Sequence, residues 1–329
     1  MIDLNTKYTV PIGSTAQYIT EDQTLVKNGS DPRIQQRLFL PPCSERKGEG
    51  GLRGKRYLRK TFPDRPLVSV ITIVFNGEKY LEETIRSVIN QTYDNVEYII
   101  IDGGSTDRTV DIIKKYEDKL DYWVSEPDRG ISDAFNKGIS LSSGIIIGIV
   151  NADDWYELDA VAQVVSIMKI NEIDIVHGQL QYWRDNTKAE LVSGNHNNLH
   201  KDMTVNHMTV FVKRYLYERI GGFSLDFDYA MDYEFLLRAK KYGASFYFLN
   251  ECIANMRFGG VSDIKWQKAL REVAGAKEGQ SSSFYPKIYY IYQIIKSYLR
   301  RCLDKLGLNF IVCFYHRRFS LMKKITNRE

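Results

Sequence analysis

Two adjacent carboxylates, Asp153 and Asp154, close the apolar run Ile145-Ile146-Ile147-Gly148-Ile149-Val150-Asn151-Ala152 in this 329-residue chain. Ionised carboxylates beside a core are costly unless a positive group compensates them. A divalent cation holding a phosphate-bearing ligand would do so, because hard cations take oxygen ligands. The alternative is that the pair opens a surface turn. A third acid, Asp232, stands in Met231-Asp232-Tyr233-Glu234-Phe235-Leu236-Leu237-Arg238. It can take a proton from a reacting hydroxyl, or it can cap the helix it opens.

The elements that must position these acids are legible from Pro66 onward. Residues 68–74 read as a strand, 79–90 as a helix with Leu81, Ile85, Val88 and Ile89 on one face, and 98–101 as a second buried strand. Ser105-Thr106-Asp107 supplies N-cap chemistry for a helix through Tyr116. A strand near 122–124 leads into a helix around 132–140, and the strand ending at the acid pair follows. Short connections and this repetition predict an α/β domain with a mostly parallel sheet. Ligands bind at the carboxyl ends of such strands. Those ends carry Asn76 in Phe75-Asn76-Gly77, Asp102 in Asp102-Gly103-Gly104, Asp128 and Arg129 in Glu126-Pro127-Asp128-Arg129-Gly130, and Asp153-Asp154. Neither G-x-G-x-x-G nor G-x-x-x-x-G-K-[ST] occurs, so a nucleotide would be held by acids and a metal instead of a glycine cradle. Beyond a helix at 159–171 and a strand at 173–177, residues 179–183 and 190–192 read as antiparallel strands. Residues 207–212 read as a further strand, and 214–220 as a helix stopped by Gly221-Gly222.

Composition sets the frame. Hydrophobic residues at 43% and charged residues at 26% are those of a globular protein with a core. Cys43, Cys252, Cys302 and Cys313 have no metal-ligand or disulfide-framework spacing. The first residues lack a basic and then apolar leader pattern, and no run reaches the roughly 18 apolar residues of a membrane span. The expectation is a cytoplasmic location. The net charge of +4 is uneven, with nine Lys/Arg against one acid between Lys287 and Lys324. The basic character therefore belongs to the tail.

In these motifs the chain resembles the family 2 glycosyltransferases of the GT-A fold, across 66–262. The resemblance rests on Val70-Ile71-Thr72-Ile73-Val74-Phe75-Asn76-Gly77, Ser87-Val88-Ile89-Asn90-Gln91-Thr92, Ile101-Asp102-Gly103-Gly104-Ser105-Thr106-Asp107, Asn151-Ala152-Asp153-Asp154, His207-Met208-Thr209-Val210-Phe211 and the Asp232 motif, in that order. It implies a Rossmann-like, mostly parallel sheet flanked by helices, a smaller antiparallel acceptor-side portion and a C-terminal helical tail. It implies a nucleotide-sugar donor, with Mg²⁺ or Mn²⁺ on the donor diphosphate held by Asp154 directly and by Asp153, which stands near the ribose or a metal-bound water. Asp232 matches the general base, and a single displacement would invert the anomeric centre. Asn76, Asp102, Asp128 and Arg129 fall on the donor side and His207 on the acceptor side, with a structural histidine as the alternative for the last. Two departures stand out: Gly103 replaces an acid that helps to bind the base in the family, and Asn151 replaces the first acid of the D-x-D-D run. The Q-x-x-R-W motif of processive synthases is missing, so one sugar per turnover is expected. A nucleotidyltransferase would need a basic, glycine-rich loop after the first strand, and a degenerate scaffold would have lost the acids; neither pattern is present.

Domain boundaries are expected at 1–65 (an extension that includes the Gly/basic run 47–56), 66–262 (the glycosyltransferase domain) and 263–329 (the tail). Over 284–325 aromatics interleave with Lys and Arg, a composition suited to the interface of an anionic membrane. The alternative there is a helix pair packed on the domain with a solvated basic face. A lipid-linked saccharide acceptor at the inner membrane face would explain the tail, and no nucleic-acid motif is present.

Overall fold

The computed structural model describes residues 16–18, 34–170, 172–184, 186–259, 265–278, 285–306 and 323–325. Three short strands, β1 (Ala16–Tyr18), β2 (Gly48–Gly50) and β3 (Tyr57–Arg59), precede the first long one, β4 (Val68–Val74). Then α1 (Leu81–Ile89), β5 (Val96–Asp102), α2 (Thr109–Lys115), β6 (Tyr122–Ser125), α3 (Ile131–Leu141) and β7 (Ile146–Ile149) alternate as the apolar periodicity predicts. β4, β5, β6 and β7 are parallel and ordered β6-β5-β4-β7. The chain steps outward from β4 to β5 and β6, then returns to the other side of β4. That reversal makes a crevice between the carboxyl ends of β4 and β7, where open α/β sheets bind ligands.

Strand residues alternate between two apolar layers. Ile71, Ile99, Ile101, Ile147 and Ile149 join Phe135 of α3 on one face. Val70, Tyr98, Ile100 and Ile146 join Leu81 and Ile85 of α1 on the other. All seven residues of β5 are buried, as a strand covered on both faces requires.

The second half is built around β8 (Trp155–Tyr156), α4 (Ala160–Ile170), β9 (Ile175–Arg184), β10 (Thr187–Ser193) and β11 (Phe211–Lys213). It continues through α5 (Arg214–Ile220), α6 (Met231–Tyr242) and β12 (Phe246–Arg257). Three readings change here. Residues 173–177 and 179–183 are one strand, β9, running through Gly178. A Cβ at Gly178 would lie 2.7 Å from Ile253 and 3.0 Å from the Glu251 carbonyl, so glycine marks the close approach of β12 and not a break. Residues 207–209 form a 3-10 turn, and only Phe211–Lys213 is strand. β12, which the sequence reading passes over, pairs in parallel with β9 and antiparallel with β8.

The 47–56 run packs against the sheet. β2 adds antiparallel to β6, and Arg53, 1% exposed, pairs with the equally buried Glu97 at 2.6 Å. Glu97 also accepts from Ser143 N (2.7 Å) and from the hydroxyls of Ser69 and Ser143. A buried charge is tolerated where it is paired and its lone pairs are filled. This part of the extension therefore folds back onto the sheet.

The tail contains α7 (Trp266–Glu278), α8 (Tyr285–Lys305) and β13 (Lys323–Ile325), which pairs antiparallel with β10. Residues 307–322 of the basic and aromatic stretch, and most of 1–33, lie outside the described residues. No helix among the described residues is long and apolar enough to cross a membrane.

Candidate active site

The Asp153–Asp154 loop is held in place by one face of α1 and by Gln91 just beyond its end. Thr84 Oγ1 donates to the Asp154 carbonyl (2.7 Å), and Ser87 Oγ accepts from Tyr156 N (3.2 Å). Gln91 donates to the Glu157 carbonyl (2.7 Å) and accepts from Val161 N (3.0 Å). Thr84, Ser87 and Gln91 recur at helical spacing, so the Ser87–Thr92 motif works as a template for the acid loop. Asp154 is 1% exposed and its Oδ1 accepts from Arg257 N at 3.0 Å. Burial, reinforced by the neighbouring Asp153, lifts the Asp154 carboxyl well above the usual aspartate range. Asp153 is raised by burial too. The Arg257 guanidinium donates to the Asp153 carbonyl and to Glu83, and lies 4.2 Å from the Tyr80 ring centroid and 4.4 Å from that of Trp155. Arg257 arrives on β12, so the sequence reading misses the cation beside the acids.

Across the crevice, β4 ends in Phe75, a ring 66% exposed, and Asn76, which adopts a left-handed φ of 52°. Asn76 Oδ1 accepts from Thr106 N (2.8 Å), so this side chain ties the β4 loop to the β5 loop. Asp102 is fully buried, and its carboxylate accepts from Gly104 N (3.2 Å), Ser105 N (3.0 Å) and the hydroxyls of Ser105 and Ser125. It shapes the loop behind the crevice. A Cβ on Gly103 would lie 2.6 Å from Asp128 Oδ2 and 3.5 Å from the Phe75 ring. The missing side chain at 103 thus leaves room that the Asp128 carboxylate occupies. Asp128 Oδ1 accepts from Gly130 N (2.8 Å), and burial raises its carboxyl above the usual range. Arg129 is a well-exposed side chain paired with Asp133 at 2.8 Å.

The third group lies on the other side of β7. Antiparallel pairing sets Phe211 opposite Gly148 and Val212 opposite Ile147. The His207–Thr209 turn therefore runs past the carboxyl end of β7, toward the acid loop. The His207 ring packs 5.3 Å from Phe135, and its Nε2 is buried with no partner among the described residues. Burial lowers the His207 pKa, against the opposing pull of Asp232. Asp232 is the second residue of α6 and does not cap it: the N-cap is Ala230, without a side-chain cap bond. Just ahead of the helix, Glu272 of α7 accepts from Tyr229 N (2.7 Å) and Ala230 N (3.0 Å). Arg238 anchors the same helix by donating to the Gly221 (3.0 Å) and Gly222 (2.7 Å) carbonyls at the end of α5. Asp232 accepts from Tyr233 N (2.8 Å), and burial raises its carboxyl above the usual range, with His207 opposing.

Among the described residues no cluster of three or more His, Cys, Asp or Glu could enclose a metal ion. Asp153 and Asp154 nonetheless fit one end of a shared site. They are adjacent, desolvated, mutually repelling oxygen ligands, and Mg²⁺-type ions are bound by one or two carboxylates completed by substrate phosphates.

The profile described as glycosyl transferase family 2 matches residues 69–231. An uncharacterized glycosyltransferase of Mycobacterium tuberculosis is 36% identical over 180 residues, which make up 53% of this chain and 69% of that protein. The chain belongs to glycosyltransferase family 2. TuaG of Bacillus subtilis, a glycosyltransferase named for teichuronic acid biosynthesis, is 27% identical over 252 residues, 73% of this chain and 98% of TuaG. The structure of mannosyltransferase PcManGT from Pyrobaculum calidifontis, in complex with GDP-Man and Mn²⁺, matches with a TM-score of 0.51 at 20% identity, over 66% of this chain and 65% of that one. That likeness is one of fold, and the fold is GT-A.

Proposed function

We propose that this protein transfers a single sugar from a nucleoside diphosphate sugar to a saccharide hydroxyl, inverting the anomeric carbon, in surface polysaccharide assembly. The observation that carries this reading is Asp232. It sits in the first turn of α6 with a desolvated carboxyl close enough to His207 to feel its charge; the His207 Nε2 has no partner among the described residues, and the His207 turn runs toward the acid pair. Asp232 accepts the proton of the acceptor hydroxyl as that oxygen attacks the anomeric carbon. His207 Nε2 has a free position for a hydroxyl of the same acceptor. Asp153 and Asp154 would hold Mg²⁺ or Mn²⁺, which would offset the charge developing on the departing diphosphate. Arg257 fixes the backbone of that loop. TuaG's name and the Mn²⁺ and GDP-Man of PcManGT support the polysaccharide and metal parts of the reading. The acceptor is lipid-linked, and the protein sits on the inner membrane face through the 284–325 tail.

On the donor side the base stacks on Phe75, with Asp128 Oδ2 beside it. An ionised carboxylate only accepts hydrogen bonds. The ring N–H of uracil, thymine or guanine is a more acidic and so stronger donor to it than the amino group of adenine or cytosine, which favours the first three bases. Calorimetry with UDP, GDP, ADP and CDP in the presence of Mn²⁺ tests this. UDP or GDP should bind best, and Asp128→Ala should weaken that nucleotide by about tenfold to a hundredfold, the range of one charged hydrogen bond. Equal binding of all four diphosphates would remove Asp128 from base reading. No binding of any would remove the donor site altogether.

A further inference from the structure

Helix α8 turns its more aliphatic side away from the protein. Ile288, Ile291, Ile295, Leu299 and Leu306 are each more than half exposed, and Cys302 is exposed too. Their spacings of three and four residues place them on one stripe. The opposite side faces the domain with polar contacts: Tyr289 Oη donates to Asp202 Oδ1 (2.6 Å) and Gln293 Nε2 to Asp202 Oδ2 (3.0 Å). A helix that merely packs on a domain buries its apolar stripe, which here is left to another occupant.

Charge identifies that occupant. A groove of about 450 Å³ between α7 and α8 is lined by Gln267, Lys268, Arg271, Tyr290, Ile294 and Tyr298. Lys268 and Arg271 are exposed, form no ion pair among the described residues, and share the groove with no carboxylate. Tyr292 and Tyr298, each half exposed, border the stripe. Aliphatic centre, aromatic border and cationic flank are the order of an in-plane interfacial helix. A second copy of the chain would set the same cations against one another.

We propose that α8 lies in the surface of an anionic bilayer, its isoleucine stripe in the acyl boundary and lipid phosphates in the Lys268/Arg271 groove. This deepens the peripheral attachment proposed above and rests on it. It also gives the attachment a direction. α7 supplies Glu272 to the start of α6, and α8 holds Asp202 of the loop that leads to His207, so the membrane lies on the acceptor side.

Co-sedimentation of the full chain with vesicles tests the assignment. The native chain should pellet with phosphatidylcholine vesicles containing phosphatidylglycerol, and not with phosphatidylcholine alone. The pair Ile291→Gln with Ile295→Gln, and separately the pair Lys268→Gln with Arg271→Gln, should each lower that binding by about tenfold or more, with melting curves like the native one. Ile295→Gln alone replaces the first pair if that pair melts early. Native binding to neither vesicle overturns attachment itself. Binding kept by the isoleucine variants overturns the α8 assignment while leaving attachment in place, and equal binding to both vesicles overturns the phosphate groove. A dimer that the isoleucine pair dissociates gives the stripe to a second copy instead. Transfer to a soluble acceptor should be unchanged in every variant, so the vesicle result is independent of the sugar-transfer reading.

Discussion

Asp232→Asn is expected to keep donor binding and to lose transfer by ~10²–10⁴-fold, the range for removing a general base. The fold should survive the change. The amide has nearly the same shape, the contact from Tyr233 N can be kept by the amide oxygen, and Glu272 holds the Tyr229 and Ala230 N–H groups at the entry to the helix independently of Asp232. A residue that acted as a cap would show the reverse, with a lower melting temperature and near-native transfer. The pH profile separates the two further. Burial raises the Asp232 carboxyl above the usual aspartate range, and His207 pulls against that rise. A base works only when deprotonated, so native transfer should fall as pH drops through this raised value. That acid limb should vanish in Asp232→Asn, leaving a flat residual rate. Single-turnover transfer across pH, with donor affinity measured by calorimetry, reads both effects. Transfer retained within a fewfold of native would return Asp232 to a structural part.

Much of this arrangement is legible in the chain because burial leaves a strong signature. β4 and β5 are runs of β-branched residues buried on both faces, and the loops after them carry the polar residues that line the crevice. What escapes the sequence is contact between distant segments. Arg257 reaches Asp154 across more than a hundred residues, from a strand whose mixed pattern, Phe246 to Arg257, has no clear period. Glu272 holds the entry to α6 through Ala230 N from another helix, a contact no local pattern announces. Gly103 reads as a lost acid until Asp128 is seen in the space a side chain would fill. Asp102 illustrates the converse. Its strand-end position suggests a ligand contact, but four donors from its own neighbourhood engage the carboxylate. Residue type and strand position show where chemistry gathers. They do not show which lone pairs remain free, and that decides each residue's part.

Asp154→Asn follows from that distinction and is expected to split stability from binding. The native carboxylate is 1% exposed, desolvated and repelled by Asp153, so at neutral pH it burdens the fold when no cation is present. The amide oxygen can still accept from Arg257 N, and the Asp154 backbone carbonyl keeps its bond from Thr84. Removing the charge alone should therefore raise the melting temperature of the metal-free protein above native. The gain comes with a loss. Native protein with Mn²⁺ and a nucleoside diphosphate at a hundred times its dissociation constant should be stabilised by about 2.7 kcal/mol. If the acid pair holds the cation as proposed, Asp154→Asn should lose nearly all of that increment, because one of its two carboxylates is gone. Asp153→Asn should weaken the increment and keep part of it, in line with the secondary part proposed for it. Thermal melts of the three proteins, with metal, with diphosphate and with both, give the full pattern. Stabilisation by diphosphate alone, equal with and without Mn²⁺, would show that the acid pair holds no metal. A variant less stable than native but still metal-responsive would make Asp154 a loop anchor, and the direct ligand would then be Asp153.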